Sequence, residues 1–81
     1  NMKHKPLFEY ANEIKSDWAN VYFGAKPYLE AMSELDQISD NYMYDSAKSI
    51  VCYFLANANT WRGEKARNTK AELKKLIKNR F

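Results

Sequence analysis

The chain of 81 residues is poor in the residue types from which small enzymes and metalloproteins build their sites. Its one cysteine excludes an intramolecular disulfide and a zinc site made of thiolates. Its one histidine, His4, stands near the start of the chain, where we expect a solvated side chain. The only glycines are Gly24 and Gly63, so no glycine-rich phosphate loop is present. We therefore predict a non-enzymatic protein with no catalytic, metal-binding or cofactor-binding residue.

The acidic residues do not follow a pattern that reverses this prediction. The segment from Asp36 to Asp45 is rich in Asp and Asn, but it lacks the spacing and the glycine of a calcium-binding loop. Glu9 and Glu13 would support acid–base chemistry only if they faced a pocket. They are expected on the polar face of an amphipathic helix, which explains their presence without a site.

Long apolar runs and a secretory signal are also absent. The longest apolar run, from Ile50 to Ala56, is far short of the about 20 residues needed to cross a bilayer. Asn1 precedes Met2 and is expected to be a cloning remnant. The only cysteine, Cys52, falls in an apolar helix and is expected to pack as a small hydrophobe in a reducing compartment. These features predict a cytoplasmic protein with no membrane partner.

The composition that remains is that of a folded domain, with 46% apolar residues, 28% charged residues and twelve aromatic residues. The stretch from Ser49 to Ala56 is the expected centre of the core. In an α-helix, which rotates by about 100° per residue, one face of this stretch is apolar and comprises Ala47, Ile50, Val51, Phe54, Leu55 and Ala58. Because Cys52 and Tyr53 extend the apolar surface around the helix, we expect its neighbours to cover it on several sides.

The periodicity predicts an all-α fold, a single domain over residues 1–81 that forms a bundle of four helices. The helices are expected near residues 6–23, 27–35, 45–58 and 61–78, with no sheet. Asp45 is the expected N-cap of the central helix. For its end, either Asn59 turns left-handed and Thr60 caps the last helix, or the central helix continues through Arg62 and stops at Gly63. The residues predicted to be buried are Leu7, Ile14, Trp18, Met32, Leu35, Ile50, Val51, Phe54, Leu55, Leu73 and Leu76.

The charges are unevenly distributed along the chain. Residues 61–81 contain eight basic and two acidic residues, whereas residues 25–45 contain one basic and five acidic residues. Four cations share one side of the last helix and could contact successive phosphates: Arg67, Lys70, Lys74 and Lys78. The alternative is an ordinary solvated face of a terminal helix. No aromatic residue is interleaved with these cations, which argues against a stacking platform for single strands. Because no helix-turn-helix motif is recognisable, nucleic-acid binding would be weak and indifferent to sequence.

A second cluster contains Trp61, Arg62 and Glu64, near the expected junction of the last two helices. If it is exposed, a Trp beside an Arg is typical of a protein-binding hot spot. Alternatively, Trp61 closes the core between two helices, and Arg62 covers its ring or pairs with a carboxylate.

Three segments carry a resemblance to a known group of proteins. They are Tyr22 to Met32 (YFGAKPYLEAM), Ser49 to Leu55 (SIVCYFL) and Trp61 to Arg67 (WRGEKAR). Together they resemble small uncharacterised helical proteins of phages and prophages of Gram-positive bacteria. The resemblance implies an accessory protein inside a bacterial host cell, and it brings no activity or site residue with it.

The functional hypothesis is therefore protein–protein interaction. A homodimer is the first case to test, in which the acidic segment of each chain meets the basic last helix of the other. The alternative hypothesis is nucleic-acid binding through that helix.

Overall fold

The computed structural model describes residues 4–78, and within this range four helices surround one core. The elements are α1 (Leu7–Asp17), α2 (Lys26–Met32), β1 (Asn41–Tyr42), β2 (Asp45–Ser46), α3 (Ala47–Ala56) and α4 (Glu64–Lys78). α3 packs against both α2 and α4, and α1 packs against the same two helices. The prediction of a small, mostly helical domain is confirmed.

α1 is shorter than its periodicity predicts, because it ends at Asp17 and not near residue 23. Trp18 leaves the helical conformation, with φ −97° and ψ 91°, while its N–H still donates to the Ile14 carbonyl. This turn sends the Trp18 ring into the core, where it stacks on Trp61 with ring centroids 5.9 Å apart. Burial of a large aromatic ring thus overrides the continuing spacing of apolar residues.

α2 begins at Lys26, with Pro27 in its first turn as predicted. It ends at Met32, a few residues early, and the Ser33 hydroxyl donates to the Leu29 carbonyl. Leu35 is nevertheless buried, because the chain beyond α2 turns back over the core. The backbone of this turn accepts hydrogen bonds from the first residues of α1, which joins the two helices at one end of the domain.

The expectation of no sheet is wrong. β1 and β2 pair as a small antiparallel hairpin, with Asn41 opposite Ser46 and Tyr42 opposite Asp45. Each strand has only two residues, which is too short to show an alternating pattern in the sequence. The hairpin ends directly at α3, and the N–H of Ala47 donates to the carbonyl of Asp40.

The start of α3 differs from the prediction by one residue. Ser46 is the N-cap, and its hydroxyl accepts a hydrogen bond from the N–H of Ser49 at 3.1 Å. Asp45 pairs with Tyr42 in the hairpin instead.

The prediction that Cys52 packs as a small hydrophobe is wrong, because its side chain lies on the outward side of α3 and is exposed.

Neither prediction for the end of this helix is correct. α3 ends at Ala56, and an irregular segment follows before α4 begins at Glu64. Gly63 takes the left-handed conformation, with φ +111°, which favours glycine. Asn59 does not: Met43 is the only non-glycine residue in the described range with positive φ.

Three rings form the centre of the core. Trp18 and Trp61 stack on each other, and both contact the edge of Phe54, at centroid distances of 6.3 and 6.5 Å. The predicted buried set is confirmed except for two residues: Leu55 and Leu76 pack against the core but stay partly exposed.

Candidate interaction surfaces

The residues of the Trp61 cluster differ in exposure: Trp61 is buried, whereas Arg62 and Glu64 lie on the surface. The Trp61 ring is only 2% exposed, so it closes the core and is not available to a partner. Its indole N–H donates to the Asp17 carboxylate at 2.8 Å, which fixes the segment before α4 to the end of α1. Arg62 and Glu64 remain exposed. Arg62 neither covers the Trp61 ring nor pairs with a carboxylate of residues 4–78.

The cation that lies over the Trp61 ring is Lys70 and not Arg62. Its ammonium lies 5.9 Å from the centre of the Trp61 ring and donates to the carbonyls of Ala58 and Trp61, both at 2.8 Å. The side chain therefore holds the segment between α3 and α4 against α4. Burial, and to a smaller extent the nearby charges of Lys74 and Arg62, lower the pKa of Lys70. Of the four cations predicted to contact phosphates, Lys70 is thus the one whose ammonium already binds two carbonyls of its own chain.

The other cations on the same side of α4 as Lys70 are exposed, and so is Arg62, which precedes the helix. We call Arg62, Arg67, Lys74 and Lys78 the basic row. None of their side chains forms an ion pair or hydrogen bond with any residue between His4 and Lys78. Between Arg67 and Lys78 the row extends over about 16 Å, at about 1.5 Å per residue of helix. Its charge is available to an anionic ligand.

The opposite side of α4 is neutralised. Glu13 of α1 accepts from Lys5 at 2.8 Å and from Lys65 of α4 at 3.1 Å. These hydrogen bonds, the one from Lys5 first, lower the pKa of Glu13. Also along this junction, the Tyr10 hydroxyl donates to Glu72 at 3.1 Å. The helix α4 thus has a paired side facing α1 and an unpaired side facing solvent.

An open cavity of about 450 Å³ lies along this junction, and its lining includes Glu9, Glu13 and Asp17. Two of these carboxylates already have partners, since Glu13 binds two lysines and Asp17 accepts from Trp61. Within the described residues no group of three His, Cys, Asp or Glu side chains is placed to hold a metal ion. The absence of catalysis remains a prediction.

A group of aromatic side chains is exposed around the outward side of α3. Tyr53 of α3 lies 5.4 Å from Tyr28 of α2, and Tyr22 lies 4.9 Å from Phe23, between ring centroids. Phe23 is 76% exposed. The two pairs are linked at the end of α3, where Tyr22 lines a cavity with Asn57, whose amide donates to the Tyr53 carbonyl. We call this surface the aromatic face, formed by Tyr22, Phe23, Tyr28, Cys52, Tyr53 and Ala56.

The aromatic face was not predicted from the sequence. Residues 22 and 23 were expected at the end of a helix, and α3 was expected to be covered on several sides. The available signal was the apolar surface that wraps most of α3, since the two helices that pack against it, α2 and α4, cannot cover every side of it. The meeting of residues 22–28 with residues 52–56 could not be inferred from their spacing in the sequence.

A smaller exposed apolar group lies at the tip of the hairpin. Met43 is 82% exposed and has φ 57°, and Tyr44 is fully exposed. Two-residue hairpin loops usually place Asn and Gly there, because a left-handed conformation costs other residues about 1–2 kcal/mol. The hairpin tip is therefore not optimised for turn stability.

The comparisons with known proteins identify no relative. Neither a family model, nor a curated protein sequence, nor a solved structure matches this chain. The resemblance to phage and prophage proteins accordingly stays a prediction. In the part of the chain that the structure describes, no helix is long and apolar enough to span a membrane.

Proposed function

We propose that this chain is a non-enzymatic accessory protein, of the phage or prophage type, that acts by protein–protein interaction through the aromatic face. The observation that carries the proposal is the exposure of several aromatic rings on one side of the domain, with Phe23 exposed at 76%. Exposed aromatic residues are enriched in interfaces, because they bury a large area with little loss of conformational freedom. A stable fold does not require them on the surface.

The chemistry of the aromatic face favours a second copy of the chain as the first partner to test. Its members carry no charge: they are aromatic rings, the Cys52 thiol and the Ala56 methyl group. A two-fold interface places the same surface on both sides, so a charged face would repel itself and an uncharged one would not. This contact differs from the predicted pairing of the acidic segment with α4, which places the basic row inside the dimer.

Light scattering coupled to size exclusion tests self-association. We expect the mass to approach twice that of the 9.5 kDa chain as concentration rises. The substitution Phe23→Ser should shift the protein to monomer, and Phe8→Ser is the matched control, because Phe8 is also exposed but lies on α1. A monomer at every concentration up to about 1 mM, or equal loss with both variants, would contradict the proposal.

A second candidate function is the binding of nucleic acid by the basic row. It is favoured by one contrast: on the α1 side the cations of Lys5 and Lys65 are paired with Glu13, whereas the basic row has no partner among residues 4–78. Unpaired cations along one helix side gain free energy by releasing counterions from phosphates. Binding through them would weaken steeply as salt concentration rises.

A further inference from the structure

Two cavities lie side by side at the junction of α3 and α4, and Asn59 lines both of them. The first, of about 260 Å³, has Arg62, Arg67 and Lys70 in its lining and no acidic side chain. The second, of about 240 Å³, is bounded by Tyr22 and by the polar side chains that follow α3. The fold thus brings an aromatic ring to the end of a cationic surface, although Tyr22 and Arg62 are 40 positions apart in the sequence.

The cationic cavity is suited to phosphate. Lys70 lines this cavity, and its ammonium is held in place by the carbonyls of Ala58 and Trp61. Arg62 and Arg67 are exposed and have no partner among the described residues, which leaves their guanidinium groups free to bind phosphate oxygens. From there the basic row continues along α4 through Lys74 and Lys78.

The second cavity is suited to a nucleobase. The Tyr22 ring is 43% exposed and forms one wall. Its place depends on Gly24: a Cβ atom at Gly24 would lie 2.6 Å from the ring and 2.9 Å from the Asn57 side-chain oxygen. Asn57, Asn59 and Thr60 add hydrogen-bonding groups of the kind that bind base edges.

We propose that the two cavities form a binding site for single-stranded nucleic acid, in which a base stacks on Tyr22 and the following phosphates contact Arg62, Arg67 and the remainder of the basic row. The inference rests on the second candidate function and specifies its ligand. A paired, stacked base cannot place its face on a protein ring, so the site discriminates against duplexes. Because Tyr22 also belongs to the aromatic face, binding is measured at a protein concentration where the chain is monomeric.

Fluorescence anisotropy with a labelled 12-nucleotide single strand and a duplex of the same length tests the site. We expect tighter binding of the single strand, and a slope of log affinity against log salt of about −3, since four cations each release about 0.7 counterions. The double variant R62Q/R67Q should reduce the magnitude of that slope by about 1.4. The matched control is K15Q/K26Q, which removes the same charge from exposed lysines outside the two cavities and should leave the slope unchanged.

The stacking contact is tested separately with Tyr22→Leu. We expect about tenfold weaker binding of the single strand, in the range of one lost base–ring stack, with duplex binding unchanged. Tyr44→Leu, at the fully exposed hairpin tip, is the control and should bind as the wild type does. Thermal melting followed by circular dichroism verifies that each variant is folded.

The outcomes separate the inference from the function on which it rests. Equal binding of both ligands, or no effect of Tyr22→Leu, would overturn the single-strand site while leaving nucleic-acid binding by the basic row. No binding of either ligand at micromolar protein and low salt would overturn both. Poly-glutamate binding as tightly as the single strand, with R62Q/R67Q weakening both and Tyr22→Leu neither, would overturn the site in favour of an acidic protein partner.

Discussion

The helices α3 and α4 pack against each other, yet their outward sides have opposite chemistry. The exposed residues of α3 are Cys52, Tyr53 and Ala56, which carry no charge, while Lys48 of the same helix is half-buried. On α4 it carries Arg67, Lys74 and Lys78 without ionic partners among the described residues. Folding requires only the inward sides. The difference between the outward sides therefore supports the two proposed contacts, one with protein and one with an anionic polymer, which share Tyr22.

The strongest test of the distinction between inward sides that stabilise the fold and outward sides that do not compares two adjacent residues of α3. Phe54 is completely buried and packs against both Trp18 and Trp61, whereas Tyr53 is 51% exposed. We expect Phe54→Ala to lower the free energy of unfolding by about 3–5 kcal/mol, because it removes a core ring and leaves a cavity. Tyr53→Ala should cost about 1 kcal/mol or less. Urea unfolding at a concentration where the protein is monomeric measures both, and equal costs would contradict the division.

A comparison within α4 gives the next largest effect. Lys70→Gln should lower the free energy of unfolding by about 1.5–3 kcal/mol, because it removes charged donors from the Ala58 and Trp61 carbonyls. Lys74→Gln, one turn further along, should change it by at most about 0.5 kcal/mol. Chemical denaturation distinguishes them. If the two lysines behave alike, Lys70 belongs to the solvated basic row and does not fix the segment between α3 and α4.

The smallest expected effect concerns the paired side of α4 and depends on pH. The pKa of Glu13 is lower in the folded protein than in the unfolded chain, because Lys5 and Lys65 stabilise the carboxylate. The unfolded state therefore binds the proton first, and the stabilisation is present above pH about 4.5 and is lost as the pH falls through the folded pKa. Glu13→Gln should remove this part of the acid destabilisation. Melting temperatures between pH 3 and 7 test it, and parallel curves for the two proteins would contradict it.

Elements with a regular spacing of apolar residues could be predicted from the sequence, and features that depend on contacts between distant residues could not. The apolar spacing of α3 and the proline of α2 located both helices, and the buried positions of Phe54 and Leu73 followed from the same period. The end of α1 was mislocated because Trp18 turns inward to stack on Trp61, a residue 43 positions away. The hairpin is too short to have a period.

The candidate surfaces were predictable to different degrees. Arg67, Lys74 and Lys78 follow from helical spacing, and the structure leaves them exposed. The hydrogen bonds from Lys70 to the carbonyls of Ala58 and Trp61 could not be foreseen, because they depend on the path of the chain between α3 and α4. The aromatic face was missed for a related reason, since it is assembled by tertiary packing of three segments that share no repeat.

The most direct measurement of the central claim uses Cys52, the only thiol of the chain, which lies on the aromatic face. If two copies associate through this face, a maleimide should react with Cys52 more slowly as protein concentration rises, over the same range in which light scattering reports a doubled mass. In Phe23→Ser the reaction rate should stay constant. A doubled mass with an unchanged Cys52 rate would place the contact elsewhere and contradict the assignment of the aromatic face.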